Sequence, residues 1–287
     1  MAKLGFSRAS LDSLSTDKEA IRVPHSAVNR MNSDHIRGCL IGERRSRPFY
    51  ALGFSCYAEM YLGFEAAWTE LTNAEYGLGT IGGPRHAQDP EYSARIATLG
   101  TLLAVEGLPR TARIEADIKQ LRSDPVTARL IADWPLGKTY EDIRCRIMKA
   151  PHKLLAYAWV LYSALFNGGH FIRRQLLKAG PEFWGLSDEE DITSFPEPLS
   201  FWSVNDDPAF RDQFRSQANE AGSLLTAEER QDVVEESESI LCRCKELTEE
   251  LVERTTNWLV CESGMADCRD ATRLNTSDSH MTIANQV

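Results

Sequence analysis

Several things are missing from this 287-residue chain, and each absence narrows what it does. No stretch alternates apolar and polar residues as a half-buried strand does, and no segment repeats, so neither a sheet nor a repeat array is expected. Basic residues are outnumbered: 32 Lys and Arg against 42 Asp and Glu leave a net charge of −10 and a pI near 5.2. Nucleic-acid binding depends on clustered cations, so this balance argues against it. The seven cysteines include no Cys-x-x-Cys. Cys242 and Cys244 are the nearest pair, and on a helix their thiols diverge, which argues against a zinc or redox couple. Their odd number and scatter, with no secretory leader, lead us to expect a reducing compartment and a cytoplasmic protein. No long apolar run is clean enough for a membrane span. Leu154 to Ile172 is free of charge, yet it holds Tyr157, Ser163, Asn167, a glycine pair and His170. It fits a buried helix better than a span, and nothing near the C-terminus reads as an anchor.

What is present is helical periodicity. Ser15-Thr16 before Asp17, Lys18 and Glu19 reads as a helix start, and that helix carries Ile21, His25, Val28 and Met31 on one face. A histidine on such a face is more often a satisfied core residue than a ligand. Phe49 to Leu71 predicts a second buried helix containing Glu59 and Glu65. Asn73 to Pro90 reads as loop, and helices follow over Tyr92–Val105, Arg110–Leu121, Pro125–Ala132 and Tyr140–Met148. From Pro151 to Gly180 one long helix is expected, with Leu154, Ala158, Leu161, Leu165, Gly168, Ile172 and Leu176 on a single face. Inside it lie Gly168 and Gly169. Each glycine in a helix interior costs roughly 1 kcal/mol relative to alanine, so the pair needs a reason: a kink, or the close approach of something flat. An amphipathic helix over Phe210–Ala221 puts Arg211 and Arg215 four apart. Thr226 with Glu229 forms a capping box before a final helix striped by Val233, Ser237, Ile240, Cys244, Leu247 and Leu251. The expected organisation is a flexible N-terminus over 1–13, one all-α domain over 14–254, and a polar, disordered tail over 255–287.

The order of these features resembles the heme oxygenase superfamily, and within it the fungal heme oxygenase-like proteins. The resemblance rests on the histidine of the first helix, the aromatic-rich second helix and Arg-x-x-x-Ile-Glu-x-Asp from Arg110 to Asp117. The Gly-Gly helix, Phe-Arg-x-x-x-Arg from Phe210 to Arg215 and Val-Val-Glu-Glu from Val233 to Glu236 complete it. It implies a heme oxygenase-like, multi-helical single domain. It implies that His25 ligates heme iron, reversing the bland reading of that residue. Gly168 and Gly169, with His170 beside them, then lie on the reaction side of the ring. Lys18, Arg22, Arg211 and Arg215 match the basic positions near the propionates, where charge-assisted pairs form. The implied reaction is oxidative cleavage of heme to biliverdin, CO and ferrous iron, using O2 and electrons from an NADPH-dependent reductase.

Three positions depart from the family pattern, one of them Ala164, where a glycine normally precedes the aspartate. Active members carry an aspartate three residues before the glycine pair, where this chain has Leu165, and a glutamate four residues after the histidine, where it has Asn29. Leucine cannot accept a hydrogen bond or organise water. His170 is the one nearby candidate to substitute, and Leu165→Asp is expected to increase heme degradation if only a water network is lacking. The alternatives on the same fold are a divergent oxidoreductase acting on a small apolar metabolite in fungal secondary metabolism, or a non-catalytic heme-binding protein. A di-iron oxidase has His25, Glu59, Glu65, Asp117 and His152 available by type but no Glu-x-x-His pair. A thiaminase-like activity lacks a cysteine in an acidic context.

Overall fold

A computed structural model describes residues 46–73, 89–134, 136–184, 198–205 and 207–277, with side chains as far as residue 258. Among these residues all regular structure is helical. In chain order the helices are α1 (Arg47–Thr72), α2 (Pro90–Leu103), α3 (Thr111–Leu121), α4 (Pro125–Ala132) and α5 (Lys138–Lys149). A 3-10 turn (Pro151–Lys153) leads into α6 (Leu154–Leu177), followed by α7 (Pro181–Trp184), α8 (Pro208–Ser223) and α9 (Ala227–Ser277).

Local chemistry sets most of these boundaries. Three helices start on the dipeptide Asp-Pro: Asp89-Pro90, Asp124-Pro125 and Asp207-Pro208. Proline presets the first helical φ and lacks only an N–H that would be orphaned anyway, while the aspartate accepts from the first turn. Asp124 Oδ2 accepts from Thr127 N at 2.8 Å, and Asp207 Oδ1 from Ala209 N at 2.9 Å. The expected capping box at α9 forms. Thr226 N donates to Glu229 Oε2 at 2.8 Å, and Glu229 N donates back to Thr226 Oγ1 at 3.2 Å. Gly107, Gly137 and Gly180 take positive φ where the chain reverses.

α1 is the hub. It packs against α2, α3, α4, α5, α6 and α9, and is buried over nearly its whole length. At Gly63 the missing side chain admits α5, because a Cβ there would sit 2.7 Å from the Tyr140 carbonyl oxygen. The stripe expected on α9 is in place, since Val233, Ser237, Ile240, Cys244, Leu247 and Leu251 are all buried while Cys242 is exposed. α9 stays helical to Ser277, past the boundary expected at 254. It contains no proline and one glycine, so little in the sequence stops it. Packing also continues past that boundary: Arg254 at the boundary lies 4.5 Å from the Trp134 ring centroid, and Trp258 beyond it meets Phe49 edge-on at 5.3 Å.

The 3-10 turn before α6 is fastened to the start of α9. His152 is buried, with Nε2 3.1 Å from Asp232 Oδ2 and Nδ1 4.0 Å from Glu229 Oε1. Glu229 is itself paired with Arg95, and Lys153 beside the histidine donates to Glu236 Oε2 at 2.8 Å. Burial lowers the imidazole below its ordinary value of 6.5, and Asp232 and Glu229 offset this only in part. With the folded value depressed, the unfolded chain binds the extra proton first. Stability is therefore full above about pH 6.5 and declines as pH falls toward the folded value. Melting temperatures followed from pH 8 to pH 5 should show this decline, and His152→Gln should flatten it. An unchanged slope in the variant would assign the acid sensitivity elsewhere.

Candidate functional site

α6 has two faces that differ in chemistry. Tyr157, Ala158, Leu161, Tyr162, Leu165 and Gly169 are buried against the body of the fold. On the opposite side Ala164 and Asn167 are exposed, Val160 and Gly168 are half-buried, and Phe171 is 51% exposed. This outer face carries no charge from Val160 through Phe171 and only small or flat groups at its centre. The stripe expected to be one continuous core face leaves the core at Gly168 and Ile172, both half-buried, and returns at Leu176.

The helix runs through the two glycines without interruption, and they do different things. A Cβ on Gly169 would lie 3.1 Å from Leu165 Cδ1 and 3.5 Å from the Trp202 carbonyl oxygen. The tight contact is with the Leu165 side chain of its own helix, and the 198–205 segment passes at ordinary packing distance. A Cβ on Gly168 would meet only Ile172 Cδ1 of its own helix, at 3.8 Å. No described neighbour accounts for the second glycine. What it leaves is an uncovered patch of backbone on an uncharged face.

The segment behind Gly169 is held by α3. Arg110, with no exposed surface, donates from Nη1 to the carbonyls of Phe201 (3.3 Å) and Ser203 (2.9 Å), from Nε to Leu108 (2.5 Å), and from Nη2 to Gly107. Burial lowers its guanidinium value, with Arg113 adding to the effect and Tyr162 and Glu65 opposing it. Asp117 accepts from Ser200 N at 3.1 Å and Phe201 N at 2.8 Å, and burial raises its carboxyl despite those bonds. Trp202 Nε1 donates to Tyr50 on α1 at 2.9 Å.

The acids considered as iron ligands are employed as helix caps and loop anchors. Glu65 accepts from Arg110 N (2.7 Å), Thr111 N (2.8 Å), Thr111 Oγ1 (2.6 Å) and Tyr162 OH (2.9 Å). Glu59 accepts from Gly137 N and from Thr139 N. Among the described residues no three His, Cys, Asp or Glu side chains gather as a metal site. Sequence reading missed the cap role of Glu65. The available signal was a carboxylate in an otherwise apolar helix, which demands partners when buried.

Of the residues singled out from sequence, Lys18, Arg22, His25 and Asn29 lie outside the described residues. Arg211 and Arg215 are half-buried on α8, and Arg215 Nη1 lies 3.3 Å from Asp212 Oδ1. α8 flanks α6 through Phe166–Phe210 at 5.8 Å, Phe166–Phe214 at 5.6 Å and Trp159 stacked on Phe214 at 6.0 Å. His170 is half-buried. At roughly 100° per residue it points about 160° away from Gly168 and about 140° away from Leu165, so the helix brings it to neither. Leu165 is 2% exposed and turned to the inner face.

This all-helical arrangement, with a long glycine-bearing helix packed on the buried hub α1, is the heme oxygenase fold. Heme oxygenase-1 from the cyanobacterium Synechocystis sp. PCC6803, solved in complex with heme, superposes with a TM-score of 0.60 at 14% identity over 90% of this chain and 99% of that one. Heme oxygenase 2 from Chlamydomonas reinhardtii, solved without heme, gives 0.59 at 18% identity over 84% and 96%. Heme oxygenase-2 from Synechocystis sp. PCC 6803, in complex with heme and NO, gives 0.56 at 17% over 86% and 91%. No curated protein matches at the level of sequence. The heme oxygenase family model matches residues 94–250, more than half of the chain, and the protein belongs to the heme oxygenase family. Among the described residues no helix is long and apolar enough to cross a membrane.

Proposed function

We propose that this protein binds heme on the outer face of α6, with His25 as the iron ligand. The observation that carries this reading is Gly168: its backbone is bare on an uncharged face, and nothing described in the fold explains why. The chemistry of that face supports a porphyrin as its ligand. Ala164 and Gly168 let a flat ring lie against the helix, Phe171 supplies apolar contact, and no charge on that face has to be desolvated. Lys18, Arg22, Arg211 and Arg215 are the residues proposed for the propionates, by charge-assisted pairing. When bound, heme iron supplies the capacity to activate O2. The reaction this reading implies is cleavage to biliverdin, CO and ferrous iron with electrons from an NADPH-dependent reductase, in the cytoplasm.

A second reading is favoured by Leu165. Its side chain is buried in the core, and the outer face of α6 holds no carboxylate, so no acid of this helix orders water beside the ring. That arrangement suits a heme binder that does not cleave heme, or an enzyme whose substrate is a small apolar metabolite. Hemin titration separates the three. The wild type should develop a Soret band, and His25→Ala should shift the band and weaken binding about tenfold or more. Biliverdin appearing with ascorbate or reductase would establish cleavage, and a stable band under the same conditions would establish binding alone. A wild type that takes up no hemin would overturn the proposal and leave the metabolite enzyme.

A further inference from the structure

The outward orientation of Gly168 depends on a closed chain of contacts that begins and ends on α6. Tyr162, on the inner face, donates to Glu65 Oε1 of α1 at 2.9 Å. Both oxygens of Glu65 receive Arg110 N, at 2.7 and 3.0 Å, and Thr111 N adds a further bond, so the carboxylate fixes the start of α3. From that start the Arg110 guanidinium holds the carbonyls of Phe201 and Ser203. Between them lies Trp202, whose carbonyl oxygen packs beside Gly169, 3.5 Å from where a Cβ would be. Tyr162 and Gly169 are seven residues apart, two helical turns or about 10 Å along the axis, and both are on the inner side. A third tie reaches the same helix, since Tyr61 OH donates to the Leu161 carbonyl at 2.8 Å. A rod held at two levels two turns apart cannot roll about its axis. Gly168 is about 100° from Gly169, so fixing one inward fixes the other outward.

We propose that Glu65 is a positioning residue for the ligand face of α6, acting through Tyr162 on one side and through Arg110 and the Trp202 segment on the other. It touches no ligand. Its effect is to hold α6 at the roll angle that presents Gly168, so that the binding-competent arrangement is close to fully populated before any ligand arrives. Where the competent fraction falls, apparent affinity falls in proportion. The geometry stands without the heme reading; only the ligand readout rests on that reading.

Tyr162→Phe is the informative variant, because it removes the tie to α6 and leaves all the caps of Glu65 on α3 in place. Glu65→Ala removes both and risks the fold. Two measurements are made well below the melting temperature: hydrogen exchange of the ligand-free protein over residues 165–172, and hemin affinity. We expect exchange over 165–172 to rise about tenfold with residues 154–158 little changed, and hemin to bind about five- to tenfold more weakly. A variant that lowers the melting temperature but changes neither readout would show a purely structural hydrogen bond and overturn the proposal. Should the wild type bind no hemin, the heme reading fails, and the exchange measurement alone decides whether Glu65 positions α6.

Discussion

Glu65→Ala is expected to cost about 4 kcal/mol of folding stability, read from denaturant unfolding. The side chain is 6% exposed and is the acceptor for Arg110 N, Thr111 N, Thr111 Oγ1 and Tyr162 OH. Removing it strands several buried donors, each worth about 1–3 kcal/mol when unpaired, though the sum is less than additive. It also removes a negative charge that helps to keep the buried Arg110 guanidinium protonated. Glu65→Gln keeps one acceptor oxygen and should lose about half as much, because one set of bonds survives. A loss below about 1 kcal/mol for the alanine variant would mean that water replaces the carboxylate at the start of α3 and that the cap is dispensable.

Leu165→Asp is expected to lose about 3 kcal/mol or more at neutral pH instead of restoring oxygen chemistry. The position is 2% exposed, and the bare Gly169 backbone lies against its side chain, with Leu165 Cδ1 3.1 Å from where a Cβ would be. A carboxylate there enters an apolar layer, so burial holds its folded value above the ordinary 3.9 or so of an aspartate. The sign follows directly. The ionisation part of the penalty is absent only well below about pH 3.9, where the group is protonated in both states, and it grows as pH rises and the unfolded chain ionises, on top of a pH-independent cost of replacing the leucine. Thermal unfolding at pH 4.5 and pH 8 measures this difference against the wild type. Wild-type stability at pH 8, together with faster biliverdin formation, would show that position 165 faces the ligand.

That reversal shows where sequence reasoning ended. Counting back from the glycine pair finds position 165, and chemistry says that leucine orders no water, but periodicity placed Leu165 and Gly168 on one face. About 60° of helix rotation separates them, and the edge of the core falls in that interval. The face of a residue near such an edge is decided by what packs against the helix, and the segment around Trp202, some thirty residues downstream, lies on the Gly169 side. Glu65 and Arg110 were hidden for the same reason. Both were visible in the sequence, one as an acid in an aromatic helix and the other as the first residue of a matched pattern. Neither spacing nor composition states that a carboxylate on α1 caps α3, or that an arginine is buried with carbonyls as its acceptors.

What the sequence determined by itself were the short-range features. Asp-Pro starts, the Thr226–Glu229 box and glycine reversals act within four residues, so seven helices lie within a few residues of where the periodicity put them. The apolar stripe of α9 followed from the same rule. The tertiary structure decided which helix is central and which glycine is free. The longest charge-free stretch lies on the glycine-pair helix, yet α1 is the helix that six others touch. Two adjacent glycines are chemically identical in a sequence. They become different only when the packed helix turns Gly169 toward the core and leaves Gly168 at its edge, because burial is a property of space and not of order along the chain.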